Sequence, residues 1–281
     1  MTPATDSGHS ALEKLRRVSR RILYLVPSVV ELPWGDRWIA RDDVMDEHIR
    51  SGEEFERGEQ QFLLRFLKPG MMVFDIGAHH GLYTLLAANK VGSSGKVVAF
   101  EPSPRERKRL TDNVRLNRYD RVVIEALALG KTTGKTTLHV CLGRETGCNS
   151  LRPPTVEEPL ESLEVLVSTV DDYCAEHGII AGDFAKLDVE GAELDVLAGA
   201  RQFTTGTPRP VFLVELADVR TQVWGYKSSA IYDTLASKGF RWYSVTNEGF
   251  LKPQERKESF HENLIAVPGE RADAVQVFIK D

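Results

Sequence analysis

Residues 71–104 read MMVFDIGAHHGLYTLLAANKVGSSGKVVAFEPSP, and the spacing of their apolar residues changes from strand to helix and back again. MMVFDIG is a continuous apolar run ending in a glycine turn, the pattern of a strand buried on both faces. GLYTLLAANKVG carries its apolar residues at helical spacing and stops at Gly92, after which KVVAFE is a second buried run. Ser103 with Pro104 and Glu106 makes a capping box with proline at the first helical position. The second helix should therefore start at Pro104 and the second strand end at Glu101. A strand, a helix and a second strand in this order form the repeating unit of a parallel sheet.

The alternation continues downstream. RVVIEAL reads as a strand, KTTGKTTLHV as a hairpin around Gly134, STVDDYCAEHG as a helix capped by Thr169, FAKLD as a strand, GAELDVLAGA as a helix and RPVFLVEL as a strand. SSAIYDTLASKGF, RWYSVT and ENLIAVP follow as helix, strand and strand, the last two joined by a loop alone and so expected to pair antiparallel. The predicted fold is α/β, a mostly parallel sheet with helices on both faces and an antiparallel final strand. The longest irregular stretch is 143–164, with Pro153, Pro154 and Pro159, and a loop of that length is usually functional. Upstream, EEFERGEQQFLLRFLKPG reads as a helix and WGDRWIAR as a short strand pair. LEKLRRVSRRILYLV resembles a basic amphipathic helix whose apolar side needs cover from the main domain or from a second subunit, and MTPATDSGHS is expected to be disordered. The divisions expected are an N-terminal extension over 1–69, the main domain over 70–268 and a tail over 269–281.

Composition narrows the function. At 281 residues with 42% hydrophobic and 27% charged side chains, the chain suits one large soluble domain with an extension. No run approaches the roughly 20 apolar residues that cross a bilayer, so stable membrane insertion is not expected. A net charge of −5, from 36 Lys and Arg against 41 Asp and Glu, makes a nucleic-acid partner unexpected. Three cysteines at no metal-ligand spacing, with no signal peptide in view, read as reduced thiols in a cytoplasmic protein.

An open parallel sheet binds its ligand beyond the carboxyl ends of the strands at the switch in strand order, here over the turn from Asp75 to Gly81. A dinucleotide fingerprint needs glycine where His79 stands, because the backbone must approach a pyrophosphate. That argues against NAD or FAD. S-adenosylmethionine has no phosphate; it asks for backbone donors near a helix start, an acid for its ammonium and a carboxylate for its ribose diol. Asp75 and Glu101 stand where those acids are needed. Gly77, His79, Gly81, Ser103 and Ala126 complete the expected cofactor contacts.

With these residues in view the chain resembles the FkbM-type S-adenosylmethionine-dependent methyltransferases. The resemblance extends over roughly 70–268 and is carried by VFDIGAHHGLYTL, AFEPSP, VDDYCAEHGI, KLDVEGAELDVLAGA and ENLIAVP, in that order. It implies a Rossmann-like class I methyltransferase fold, O-methylation of hydroxyls on sugars, polyketides or other natural products, and cofactor roles for Asp75, Gly77, Gly81 and Glu101. His79 departs from the asparagine that many members carry in the glycine turn.

Methyl transfer from a sulfonium is a direct displacement, so the acceptor oxygen must be aligned and its proton removed by a base or by the pull of a divalent ion. Asp188 ends the fourth strand of the main sheet, Glu190 follows two residues later, and Glu215 ends the fifth. These acids should converge on the reactive end of the cofactor. His261, just before the final strand, is expected at the same edge. Asp188, Glu190 and His261 are the candidate catalytic residues. Asp188, Glu215 and His261 are the candidate ligands for magnesium, an oxygen-rich set without cysteine. His80, Asn149, Ser150, Trp224 and Tyr226 are the candidate acceptor contacts. An amino-group methyltransferase would show Asn or Asp, two prolines and an aromatic after the fourth strand, where this chain has LDVEG. A non-catalytic cofactor-binding subunit would not need the acid cluster. The expected acceptor is a saccharide hydroxyl, specifically on a mannoside or short oligosaccharide destined for a methylated polysaccharide, with a polyketide or glycosylated natural product as the alternative.

Overall fold

The structure is a computed structural model that describes residues 27–52 and 55–280. The basic helix expected over 12–26, the expected disordered start and the expected subunit contact there lie outside the described residues. The strands are β1 (Ser28–Glu31), β2 (Arg37–Ala40), β3 (Met72–Ile76), β4 (Lys96–Phe100), β5 (Val122–Glu125), β6 (Leu127–Leu129), β7 (Gly134–Cys141), β8 (Leu160–Ser168), β9 (Phe184–Leu187), β10 (Val211–Ala217), β11 (Phe240–Val245), β12 (Leu251–Pro253) and β13 (His261–Pro268).

Among the described residues the central sheet has eight strands in the order β12-β11-β13-β10-β9-β3-β4-β5. β5, β4, β3, β9 and β10 are parallel neighbours, whereas β13 runs antiparallel between β10 and β11. The parallel strands read as unbroken apolar runs because helices cover both faces. Phe74, Val98, Ala185 and Val214 pack on one side, and Val73, Val97, Phe184 and Leu213 on the other. The helices Leu82–Val91 and Pro104–Leu116 follow β3 and β4 as expected, and Thr169 caps the helix Val170–Glu176 by accepting the Asp172 N–H at 2.9 Å.

Three local readings need correction. KTTGKTTLHV is not a hairpin around Gly134: β6 and β7 do not pair with each other, and both pair with β8, one parallel and the other antiparallel. β8 itself falls partly inside the stretch read as a loop, because its prolines precede the strand instead of interrupting it. The capping box does not form. The Ser103 hydroxyl donates to the Glu106 carboxylate and leaves the helix N–H groups uncapped by its side chain, although Pro104 does open the helix.

The extension is fastened to the main domain by buried charge. WGDRWIAR is not itself a strand pair: it supplies β2 and the turn at Trp34 and Gly35, and the partner strand β1 lies upstream of it; a helix that the sequence did not announce, Val44–Ser51, follows. Arg109, on the helix after β4, forms ion pairs with Asp43 and Asp46, all three side chains at most 9% exposed. Asp46 also accepts from the Trp38 indole at 2.7 Å. The last residues are integrated too, since Val275 and Phe278 enter the core beside Phe62 and Phe66. Removing one partner of a buried ion pair leaves the other uncompensated. Arg109→Ala should therefore lower stability by about 3–5 kcal/mol in urea denaturation; a loss below ~1 kcal/mol would show that the extension is held by other contacts.

Candidate cofactor and acceptor site

The carboxyl ends of β3, β4, β9 and β10 open into a cavity of about 400 Å³, within the usual size range of small-molecule sites. Its shape depends on two turns that touch. Gly77 has φ 85°, and a Cβ built there would lie 1.8 Å from the Asp188 carbonyl oxygen, so a side chain cannot be accommodated between the turn after β3 and the turn after β9. Gly77 and Ala78 both donate N–H to the Phe100 carbonyl, at 3.1 and 3.0 Å, which ties the first turn to the end of β4.

Glu101 lies one residue beyond β4 and is 6% exposed. Its Oε1 accepts the Ser103 N–H and its Oε2 the His79 N–H, both at 2.8 Å. Each oxygen keeps a second lone pair, and the residue lines the cavity. Burial pushes its carboxyl up to about 8. His79 occupies the left-handed conformation expected of glycine at that place, with φ 50°. Its ring Nε2 is 3.0 Å from the Thr146 hydroxyl, and burial pulls its pKa down to about 4, so the imidazole is neutral near pH 7. Asp75 is buried; one oxygen accepts the Thr84 hydroxyl at 2.5 Å and Oδ1 has no hydrogen-bond partner.

At the other end Asp188, Glu190 and Glu215 bring carboxylate oxygens within 4.8 Å of one another. Lys186 Nζ donates to Asp188 Oδ2 at 2.8 Å and holds that carboxyl below the usual range. Arg220 Nε is 2.8 Å from Glu190 Oε2. Burial and the neighbouring Asp188 nevertheless push Glu190 up to about 8, and burial with the same crowding raises Glu215 well above its ordinary value. Glu190 does not cap the next helix. No side chain caps it; the Glu193 carboxylate instead fastens the turn before the helix, accepting N–H from Val189 at 3.0 Å and Gly191 at 3.2 Å, and Glu190 stands at φ 56° against the cavity.

Of the residues expected around the cofactor and acceptor, Asp75, Gly77, His79, Glu101, Asn149, Ser150, Asp188, Glu190 and Glu215 line this cavity. The rest fall elsewhere. His261 is exposed at the start of β13, with its ring 3.2 Å from the Ser259 hydroxyl, because the register sets it opposite Ala217, two residues beyond Glu215. It cannot join Asp188 and Glu215 as base or ligand. His80 is fully buried beneath His79, 3.6 Å from an Asp43 oxygen. Ala126 is exposed, and its neighbours Leu127, Ala128 and Leu129 line the cavity instead. Gly81 begins the helix against Leu110, and Ser103 serves Glu101. Trp224 packs on Gly191 under Arg152, and the Tyr226 hydroxyl donates to the Gly191 carbonyl at 2.6 Å; both support the turn without entering the cavity. Sequence reasoning missed Glu56, Arg144, Thr146, Lys186 and Arg220, which all line the cavity. Lys186 had a signal, since a residue two before Asp188 on a strand points to the same face.

The oxygen set Asp188, Glu190 and Glu215 is of the kind and spacing a hard divalent ion takes, with Glu190 in the place expected of His261, although Lys186 already engages Asp188 and Arg220 engages Glu190. His79, His80 and Glu106 also approach within 4.8 Å, but Glu106 is already engaged by the Ser103 hydroxyl and by Arg105 at 2.6 Å, which does not suit a metal.

A parallel sheet whose first strand ends in a glycine turn, whose second is followed by a buried acid, and whose sixth-placed partner strand runs backwards defines a Rossmann-like class I methyltransferase. The profile of the methyltransferase FkbM domain matches residues 75–242, and the chain belongs to that family. It is an S-adenosylmethionine-dependent methyltransferase. Among curated proteins it is 25% identical over 173 residues to the 2-O-methyltransferase NoeI of Sinorhizobium fredii, covering 57% of this chain and 70% of that one. It is 26% identical over 224 residues to AMB antimetabolite synthetase AmbE of Pseudomonas aeruginosa, a match covering 68% of this chain and 10% of AmbE. An O-methyltransferase from Bacillus cereus, solved with SAH, aligns over 95% of this chain and 91% of its own at 14% identity and a TM-score of 0.43, which adds nothing to the fold read from strand order. Among the described residues no helix is long and apolar enough to cross a membrane.

Glu101→Ala should weaken S-adenosylmethionine binding by about tenfold or more, through the loss of two hydrogen-bonding oxygens facing the cavity. Calorimetric affinity equal to the wild type would remove Glu101 from the ribose site.

Proposed function

We propose that the protein methylates a hydroxyl of a small polar acceptor, a saccharide, with Glu190 as the base. The observation that carries this reading is the division of labour among the carboxylates: Asp188 is kept ionised by Lys186, while Glu190 is tuned to about 8, near the pH at which it must take up and release a proton. In the displacement the acceptor oxygen attacks the methyl carbon, sulfur leaves as a neutral thioether, and the hydroxyl proton passes to Glu190. Asp188 accepts a hydrogen bond from the acceptor and orients it. Glu215, retaining its proton beside Asp188, keeps the cluster from carrying a third negative charge. The apolar stretch Leu127, Ala128, Leu129 and Leu138 receives the adenine, and Glu101 the ribose diol.

An acceptor rich in hydroxyls fits a cavity lined by Glu145, Asn149, Asp188, Glu190 and Arg220, and the relationship to a protein named as a 2-O-methyltransferase supports oxygen as the target atom. The match to a segment of AmbE favours a natural-product hydroxyl as the second reading. Magnesium is a second reading for activation. Asp188, Glu190 and Glu215 would hold it, and when bound it would supply charge that lowers the acceptor pKa.

With Glu190 as the base, turnover at saturating donor should rise with pH through about 8, because the protonated acid below that value cannot accept the hydroxyl proton. Glu190→Gln should lower kcat on a saccharide acceptor by about 100-fold or more and abolish that limb. A profile unchanged in the variant would assign the base elsewhere. Labelled methyl transfer to panels of sugars and macrolides identifies the acceptor class, and transfer to macrolides alone would reject the saccharide. Turnover that survives excess chelator would reject the magnesium reading.

A further inference from the structure

The polar end of the cavity is closed by a residue from outside the family match. Glu56 belongs to the extension, lines the cavity and has φ 46° and ψ 47°, a left-handed conformation that glutamate seldom adopts. Such a conformation is unfavourable for a residue with a side chain, so the surrounding contacts must impose it. They are specific. The Tyr83 hydroxyl donates to Glu56 Oε2 at 2.6 Å and the Asn263 amide to Oε1 at 2.9 Å, which brings the extension, the helix after β3 and the strand β13 to one carboxylate.

Both donors are neutral. Lys186 acts on Glu56 electrostatically, but its ammonium donates to Asp188 at 2.8 Å. Asp75 draws on the same lysine and has its Oδ1 buried with no hydrogen-bond partner. Three carboxylates, Glu56, Asp75 and Asp188, therefore share one ammonium at one end of one cavity. Burial raises both Glu56 and Asp75 above the ordinary carboxyl range, and a second cation between them would favour their ionised forms.

With adenine at the apolar end and the ribose diol at Glu101, the amino-acid part of the methyl donor reaches this acidic end. We propose that Glu56 binds the α-ammonium of the donor's methionine moiety, together with the unpaired oxygen of Asp75. The inference rests on S-adenosylmethionine as the donor and adds that the extension completes the cofactor site of this chain. Tyr83 and Asn263 are positioning residues, which fix the rotamer of Glu56 and leave its remaining lone pairs for the ligand.

Calorimetry with two probes tests it. S-adenosylhomocysteine carries the amino-acid group, whereas 5′-methylthioadenosine is the same nucleoside without it. Glu56→Gln should weaken S-adenosylhomocysteine by about tenfold or more and leave 5′-methylthioadenosine within about twofold, while Glu101→Gln weakens both. Unchanged binding of S-adenosylhomocysteine to Glu56→Gln, or equal weakening of both probes, would overturn the inference. Wild-type protein that binds neither probe would overturn the donor reading on which it stands. Should Glu56→Gln lose cooperative thermal unfolding, Glu56→Asp carries the same comparison. It keeps the charge with a shorter reach, and a selective loss for S-adenosylhomocysteine is again the expected result.

Discussion

A single buried ammonium sets the electrostatics of the site. Lys186 lies in β9 at the register of Asp75 in β3 and Leu213 in β10, in the middle of the parallel sheet. Burial alone would drive its proton off, but Asp188, Asp75 and Glu56 hold the charge in place and raise its pKa. The lysine in turn decides which acids stay ionised. Asp188, in contact with it, does; Glu190 and Glu215 are buried beside the negative charge of Asp188, and even with Arg220 2.8 Å from Glu190 they hold their protons to higher pH. Proton acceptor and ionised anchor thus differ through the balance of burial, the direct Lys186 contact and the charge of Asp188 on its neighbours.

Architecture makes this arrangement possible. Parallel strands end on the same edge, so acids placed at the ends of β9 and β10 converge although 27 positions separate Asp188 from Glu215. The turn after β3 can press against the turn after β9 only because Gly77 has no side chain. The remaining walls come from segments outside this repeat. Val44, Met45, His48 and Phe55 of the extension and residues 144–151 after β7 also line the cavity. Arg144 joins these two walls, 3.1 Å from Asp42 and 3.0 Å from Glu47, and Val44 donates its N–H to the Arg144 carbonyl at 3.3 Å. Surface ion pairs of this kind are weak, so these contacts fix the two walls less firmly than the buried Arg109 pairs fix the extension.

Legibility in the sequence followed from locality. Asp75, Gly77, Glu101 and Asp188 sit where a change of period marks the end of a strand, and a parallel sheet turns that one-dimensional mark into a shared edge. His261 shows where the argument fails. Its strand and its direction were readable, but the register against β10 was not, and a shift of two residues moved it out of the cluster. Trp224 and Tyr226 followed the right strand, yet packing on Gly191 claimed them first. β8 was obscured by the prolines ahead of it, and Glu56 left no trace at all, since nothing local distinguishes it from the other acids of its helix entry.

The order of strands and helices, the glycine turn and the acids at the strand ends were determined by the sequence alone, because each depends on residues within a turn or two of one another. The charge state of those acids, the exclusion of His261 and the recruitment of Glu56 were decided only by the tertiary structure. Each of these depends on distances between segments far apart in the chain, which no local pattern records.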